Sequence, residues 1–352
     1  MFIFHLSQFS LRHKKENAVI QISVIIVSYK ARDLTIRCVS SILAQLKGLD
    51  AEVIVVDNNS QDGTIAYLQQ ASPAVKTISL PENVGFGAAC NIGFDISLGQ
   101  RILFLNPDAY LERNSIDVMM ENASANENVG IYGPKIVGED GQVTPSCFRF
   151  KRIFRDACTQ FGLAWTGINK YSQSKLVKST IVDWLTGCCM LVDRNAFVQV
   201  GGFDEKFFLY SEETDLSFRM MKLGWVSMYV PAAMCQHIGG GSTKFGNDIR
   251  HGYMMRSELY FFRKSFGKRS YYAAIIFRFL SGFLKLIPFA LLNMVSCGKI
   301  YFFSYRVARS LADIKYSILT IDDPRGVNIP PKPGSLLVGT NACRPSKTMV
   351  SK

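Results

Sequence analysis

Four short, unbroken apolar runs separated by stretches of helical spacing constrain this chain more than any other feature. Ile22 to Ser28 (ISVIIVS) and Glu52 to Val56 (EVIVV) are rich in Val and Ile without polar alternation, the pattern of strands covered on both faces in a parallel sheet. Between them Leu34, Cys38, Ser41, Ile42 and Gln45 sit at helical spacing. Val75 to Leu80 and Arg101 to Leu105 (RILFL) repeat the strand pattern, with helical character over Asn91 to Leu98 between them. Strand and helix therefore alternate up to a fourth strand, which predicts a doubly wound α/β layer. In such layers ligands sit beyond the carboxyl ends of the strands. Three polar clusters fall there: Ser28-Tyr29, Asp57-Asn58-Asn59-Ser60 and Asn106-Pro107-Asp108. After Gly130 the order is less regular, with a strand expected over Ile181 to Val192, a helix over Glu212 to Leu223 and a strand over Trp225 to Val230.

Composition narrows the function classes. With 352 residues, 48% hydrophobic and 19% charged, the chain can bury a sizeable core and is neither disordered nor collagen-like. Its net charge of +12 favours an anionic partner. Twelve Lys or Arg residues against Asp248 and Glu258 lie between Lys244 and Arg309, so nearly all the excess is in one segment. That segment is too apolar for a solvated phosphate-tracking face and carries no recognisable nucleic-acid motif, so no nucleic-acid partner is expected. The nine cysteines are odd in number, show no CxxC spacing and lie mostly in apolar runs, where Cys behaves as a small hydrophobe; a reducing, cytoplasmic compartment is expected. The N-terminus places its basic residues after a short apolar stretch, the reverse of a secretory signal. Arg278, Lys285, Pro288 and Lys299 interrupt the apolar region from Tyr271 to Phe303, leaving no uncharged run of about 18 to 20 residues.

Several motifs can carry chemistry, and each also has a structural reading. Asp57, in DNNSQDGT, can accept the imide N–H of a uracil or thymine ring, or the cluster can simply stop a strand, with Asp62 capping the next helix. Asn83-Val84-Gly85-Phe86-Gly87-Ala88-Ala89-Cys90-Asn91 lets backbone approach a ligand and points a helix N-terminus at phosphate, or marks a helix entry. It is not the dinucleotide fingerprint, because Cys90 stands where that pattern ends in Gly. Asp108 in Asn106-Pro107-Asp108 can bind Mg²⁺ or Mn²⁺ when a substrate diphosphate supplies most of the other oxygens, and is equally a turn signal. Glu212, Glu213 and Asp215 open a helix and complement its dipole, yet three carboxylates in four positions exceed what capping requires and offer a general base. His237, before a glycine run, is a metal ligand or a satisfied histidine.

Taken in order, ISVIIVSYK, VVDNNSQDGT, PENVGFGAACNIG, LFLNPDA, VDWLTGCCMLV, GGFDEKFFLYSEETDLSFR and HIGGGST resemble the inverting GT-A glycosyltransferases of family 2. Within them the chain is similar to the bacterial rhamnosyltransferases that use dTDP-rhamnose in O-antigen, capsule or cell-wall assembly. The resemblance spans about residues 22 to 245. It implies a Rossmann-like nucleotide-sugar-binding sheet flanked by helices, in which Asp57 reads the pyrimidine. Ser28, Tyr29, Asn59, Asn83, Gly85, Phe86, Gly87, Asn91 and Asn106 line the nucleotide sugar. Asp108 stands at the last acid of the family's DxD motif, whose first acid is here Asn106, and His237 completes a site for Mg²⁺ or Mn²⁺. Glu213 is implied as the catalytic base at a position where the family more often has Asp, and Asp183, Trp184 and Glu212 lie on the acceptor side. The implied reaction moves a sugar, rhamnose above all, to a hydroxyl of a polyprenyl-diphosphate-linked saccharide with inversion. UDP-hexose or UDP-N-acetylhexosamine donors, and a non-catalytic nucleotide-sugar-binding subunit, are the alternatives.

Residues 258 to 310 interleave Phe, Tyr, Leu and Ile with Arg and Lys, as in helices lying on an anionic membrane surface; a helical subdomain packed on the catalytic core is the other reading. The expected organisation is an N-terminal extension (1–21), a GT-A catalytic domain (22–243), a basic, aromatic helical membrane-associating segment (244–312) and a loose tail (313–352). Peripheral binding to the inner face of the cell membrane is expected.

Overall fold

The computed structural model describes residues 20–161, 171–239, 247–296 and 301–319. Residues 1–19 of the expected extension, the tail from residue 320 onward and the turn from Gly240 lie outside the described residues. The first half folds as β1 (Ile22–Ser28), α1 (Arg32–Gln45), β2 (Ala51–Asp57), α2 (Thr64–Ala71), β3 (Lys76–Ser79), α3 (Phe86–Asp95), β4 (Arg101–Leu105), β5 (Ala109–Leu111) and α4 (Ser115–Ala125). All seven residues of β1 are buried, as expected of a central parallel strand with helices on both faces. Helix α3 begins five residues earlier than the spacing predicts because Gly85 can hold φ +91° at its entrance. Asp62 does not take the N-cap position expected of it: Gly63, at φ +78°, holds that place, and the Asp62 Oδ1 accepts from the N–H (3.1 Å) and hydroxyl (2.6 Å) of Thr64 one residue further on.

The second half continues with β6 (Val129–Val137), β7 (Val143–Thr144), β8 (Cys147–Phe148), α5 (Ile153–Gln160), β9 (Thr180–Val182), β10 (Trp184–Leu185), β11 (Cys189–Asp193), α6 (Arg194–Gln199), α7 (Glu212–Lys222) and β12 (Val226–His237). Two long helices follow, α8 (Asn247–Val295) and α9 (Tyr301–Leu319). Among the described residues the main sheet runs β3-β2-β1-β4-β11-β6-β12-β5, with β8 and β10 forming a separate pair. Strands β1 to β4 are mutually parallel, whereas β11 runs antiparallel between β4 and β6. The matrix of apolar side chains lies on both faces, around Val24, Val55 and Leu103 on one and Ile25, Phe104 and Met190 on the other.

Two expected strands differ in extent. Ile181 to Val192 is three short strands, because Asp183 turns its carboxylate to the Phe150 N–H (2.7 Å) and the Tyr171 hydroxyl (3.0 Å) and Thr186 to Cys188 leave the ladder. The strand expected over Trp225 to Val230 runs on to His237, with a register shift between Val230 and Met234 where Pro231 cannot donate a ladder hydrogen bond.

Helix α8 changes direction at Gly267, whose φ of +82° and ψ of 179° are not helical. Its first part packs Leu259, Phe261 and Phe262 inward, with Phe261 edge-on to Phe218 of α7 at 5.5 Å between ring centroids. Lys264 pairs with Asp204 and Asp215 at 2.8 Å, and the Tyr260 hydroxyl donates to Asp204 at 2.9 Å. Beyond Gly267, Arg278 is fully buried between Asp156 of α5 (3.0 Å) and Glu258 (2.8 Å), so its charge faces carboxylates inside the protein. Tyr272, Ile276, Leu280, Phe283, Ile287 and Leu291 recur at helical spacing and stay exposed. By length and composition alone Arg250–Val295 is apolar enough to cross a membrane.

Candidate active site

A cavity of about 280 Å³ opens beyond the carboxyl ends of β1, β2 and β4, where an open α/β sheet places its ligands. Of the residues expected from sequence, Tyr29, Asn83, Gly85, Phe86, Asn106, Asp108, Glu212, Glu213 and His237 line it. Val27, Asn58, Pro107, Thr186 to Cys188, Phe208 to Tyr210 and Arg250 complete the wall; of these, Asn58, Thr186, Tyr210 and Arg250 carry polar groups to which the sequence reading gave no site role.

Sheet pairing brings Asp108 and His237 together. β5 and β12 pair with Ala109 opposite His237, and the Ile238 N–H donates to the Asp108 carbonyl at 3.1 Å. The His237 Nε2 therefore lies 3.2 Å from Asp108 Oδ1, with Asp108 buried and His237 partly open. Among the described residues no group of three or more His, Cys, Asp or Glu side chains is arranged to hold a metal ion. One carboxylate and one imidazole are a fitting donor set for a hard divalent cation whose remaining ligands are diphosphate oxygens.

The loop at Asn83 to Gly85 is held from below by Asn58. Its Nδ2 donates to Asn83 Oδ1 at 2.9 Å and to the Gly85 carbonyl at 3.2 Å, and its Oδ1 accepts from the Val84 N–H at 2.9 Å. From the other side Phe86 N–H donates to the Phe208 carbonyl at 3.1 Å. A Cβ on Gly85 would lie 2.5 Å from that carbonyl oxygen, so glycine is required there by space as well as by φ.

Asp57 stands just outside the lining. It ends β2, in register with Ser28, and its Oδ2 accepts from the Ser60 N–H at 3.2 Å. Its Oδ1 is buried with no hydrogen-bond partner among the described residues, an acceptor suited to a ligand N–H.

The remaining expected residues sit elsewhere. Ser28 is buried against Thr35 Oγ1 at 2.8 Å, and Asn59 takes a left-handed φ of 64° and accepts from Gln61. Gly87 packs against Phe203 inside α3. Asn91 forms a two-way staple with the Phe203 backbone, 2.9 Å in each direction. Asp183 is engaged as described above, and Trp184 stacks on Phe148 with its Nε1–H donating to the Arg149 carbonyl at 3.2 Å.

Glu212 and Glu213 open α7 immediately after Tyr210 and Ser211, both in the left-handed region at φ 70° and 65°. Two such residues in succession are costly for L side chains and persist only where the surroundings enforce them. Here Phe208 O is held by Phe86 N–H, and Leu209 O accepts from Ser257 Oγ of α8 at 2.8 Å. Burial pushes the Glu213 carboxyl up to about 7, against the lowering effect of a backbone hydrogen bond and of Lys151. Burial, then the neighbouring Glu213, raises Glu212 well above the carboxylate range. The pair titrates as a unit, with a proton to share near neutrality.

Residues 23–201 match the family model described as Glycosyl transferase family 2, and residues 142–297 match Glycosyl transferase family group 2. An N-acetylglucosaminyl-diphospho-decaprenol L-rhamnosyltransferase of Mycobacterium tuberculosis is 36% identical over 208 residues, covering 54% of this chain and 67% of the relative. A dTDP-rhamnosyl transferase, RfbF, of Shigella flexneri is 25% identical over 256 residues, covering 69% and 80%. The solved structure of the mannosyltransferase PcManGT from Pyrobaculum calidifontis, in complex with GDP-Man and Mn²⁺, superposes with a TM-score of 0.54 at 15% identity, covering 88% of this chain and 92% of that one.

Proposed function

The chain belongs to glycosyl transferase family 2 with a GT-A fold, and we propose that within it the protein transfers L-rhamnose from dTDP-rhamnose to a polyprenyl-diphosphate-linked saccharide in bacterial surface-polysaccharide synthesis. The observation that carries this reading is the cavity where Asp108, His237 and the raised Glu212–Glu213 pair meet. A non-catalytic nucleotide-sugar carrier has no use for a carboxyl poised near neutrality. The rhamnose and lipid-diphosphate assignments rest on the relatives' names.

Asp57 Oδ1 accepts the pyrimidine imide N–H. The loop at Asn83 to Phe86, whose Val84, Gly85 and Phe86 N–H groups are engaged within the protein, and the α3 N-terminus face the sugar and diphosphate, where the helix dipole favours negative charge. Arg250, reaching in from α8, adds a fixed cation for the leaving diphosphate. A divalent cation, Mg²⁺ or Mn²⁺, held by Asp108 and His237 would supply further positive charge opposite the diphosphate. Glu213 takes the proton of the acceptor hydroxyl as that oxygen attacks the anomeric carbon from the face opposite the diphosphate, so configuration inverts in one displacement. Glu212, Asp183 and Trp184 border the acceptor side.

The exposed stripe of α8 would lie on the cytoplasmic face of the membrane. Each large apolar side chain buried there contributes about 1.5–3 kcal/mol, and Lys268 and Arg269, exposed beside it, face anionic headgroups at about 1 kcal/mol each.

A thermal-shift series with dTDP-rhamnose, UDP-glucose and UDP-N-acetylglucosamine, with and without Mn²⁺, tests the donor. Stabilisation by dTDP-rhamnose, increased by Mn²⁺, is the expected result; stabilisation by a UDP-sugar alone overturns the donor assignment.

A further inference from the structure

Helix α9 packs against both parts of α8. A Cβ on Gly252, before the bend at Gly267, would lie 2.5 Å from the ring of Tyr316, and one on Gly282, after the bend, 3.0 Å from the Ser310 carbonyl oxygen. His251 Nε2 meets Asp313 Oδ1 at 2.6 Å, both side chains nearly enclosed. Beside this contact lies a second cavity, of about 540 Å³, a size that suits a small-molecule site. Leu311, Ala312 and Ile314 give it an apolar wall, and Arg309 and Lys315 join His251 in its lining. Among the described residues no Asp or Glu lines it. Leu311 and Lys315 are exposed, so the cavity is open along the surface of α9. The catalytic cavity is one residue away in the chain: Arg250 lines the first and His251 the second. Successive helix residues point about 100° apart, so the start of α8 stands between the two hollows.

An apolar hollow edged by two cations suits a molecule that is hydrocarbon at one end and multiply anionic at the other. We propose that this cavity holds the lipid diphosphate of the acceptor, with Arg309 and Lys315 on the diphosphate oxygens and Leu311, Ala312 and Ile314 along the first isoprene units. The proposal deepens, and rests on, the reading of the acceptor as a polyprenyl-diphosphate-linked saccharide. The Tyr305 hydroxyl, also in the wall, accepts from Arg309 Nη1 at 3.4 Å and restrains the guanidinium at the cavity edge. Chain and anion are selected together: the free alcohol lacks the charge, and inorganic diphosphate lacks the apolar surface. With its lipid held there, the saccharide crosses the start of α8 past Arg250 and presents its hydroxyl to the Glu212–Glu213 pair. Acceptor capture on α9 is in this way separate from membrane docking by the exposed stripe of α8.

Farnesyl diphosphate carrying a diazirine on its chain tests the site in the full-length protein, with affinity measured by calorimetry and the point of attachment by peptide mapping. Binding is expected, with attachment to α9, and farnesol and inorganic diphosphate should each bind at least about tenfold more weakly. Arg309→Gln combined with Lys315→Gln should weaken farnesyl diphosphate about tenfold or more while dTDP-rhamnose affinity stays within about twofold. Leu311→Gln, at an exposed position, should weaken it about threefold and serves if the double variant does not fold. Attachment confined to residues 276–291 of α8, equal displacement by phosphatidylglycerol vesicles, or unchanged affinity in a folded variant overturns the proposal. Rhamnose transfer to a lipid-linked saccharide together with unchanged farnesyl diphosphate affinity overturns the site alone, whereas no transfer to any lipid-linked saccharide overturns the acceptor reading beneath it.

Discussion

The two parts of α8 on either side of Gly267 both interleave aromatic with basic residues and have opposite surroundings. Before the glycine, Leu259, Phe261 and Phe262 are buried against the catalytic half, Lys264 is paired with Asp204 and Asp215, and Arg250 lines the cavity. After it, Arg278 turns inward to Asp156 and Glu258 while Ile276, Leu280, Phe283 and Ile287 face out. A charge count would send the cations to lipid and the aliphatic groups to a core; several of both do the reverse. Direction decides, and it is set by carboxylates 20 to 122 residues away in the chain.

The largest effect should come from the inward face of the second part. Arg278→Met leaves Asp156 and Glu258 enclosed without their shared cation, and urea unfolding should show a loss of about 3–5 kcal/mol; a loss below about 1 kcal/mol would mean that this face is not locked to the catalytic half. The outward face should behave in the opposite way. Ile287→Asp with Leu291→Asp should weaken sedimentation with phosphatidylglycerol vesicles by at least about tenfold while leaving unfolding within about 0.5 kcal/mol. Equal vesicle binding in that variant would remove the membrane role from the stripe. Before Gly267, Lys264→Met should cost about 1 kcal/mol, since its ammonium is partly solvated, and lower the melting temperature by a few degrees.

A pH series sharpens the same contrast. Against its burial, Glu258 is held below its unfolded value by Lys151 and Arg278, so its contribution to stability is present above about pH 4.5 and is lost as pH falls toward about 2. Glu213 is held above its unfolded value, so the folded state binds the extra proton and this group costs stability as pH rises from about 4.5 through about 7. Its activity must run the other way: kcat/KM should rise with pH through an acid limb near 7, because the base works only when ionised. Stability measured by denaturant and activity measured by initial rates should therefore move apart across that window.

The alternating layer was legible because β1, β2 and β4 are continuous Val, Ile, Leu and Phe runs that few other environments accept. Asp108, Glu213 and His237 were legible as chemistry-bearing residues at element ends, and the structure brings all three to one cavity. Asn91 was misleading: a helix-entry asparagine looks ligand-facing until its amide is found closing on the Phe203 backbone. Asn58 was passed over because a strand-stopping asparagine carries no sign that it will hold a loop 26 residues on. Arg250 was hidden in a segment whose charge already had a simpler explanation.

The account's central claim is that Glu213 accepts the proton of the attacking hydroxyl. Single-turnover kinetics of Glu213→Gln with dTDP-rhamnose and N-acetylglucosaminyl-diphospho-decaprenol test it most directly, with dTDP-rhamnose affinity measured alongside. The predicted result is a rate lower by about 10² to 10⁴ with donor affinity within about twofold of wild type. An unchanged rate at undiminished donor affinity would contradict it.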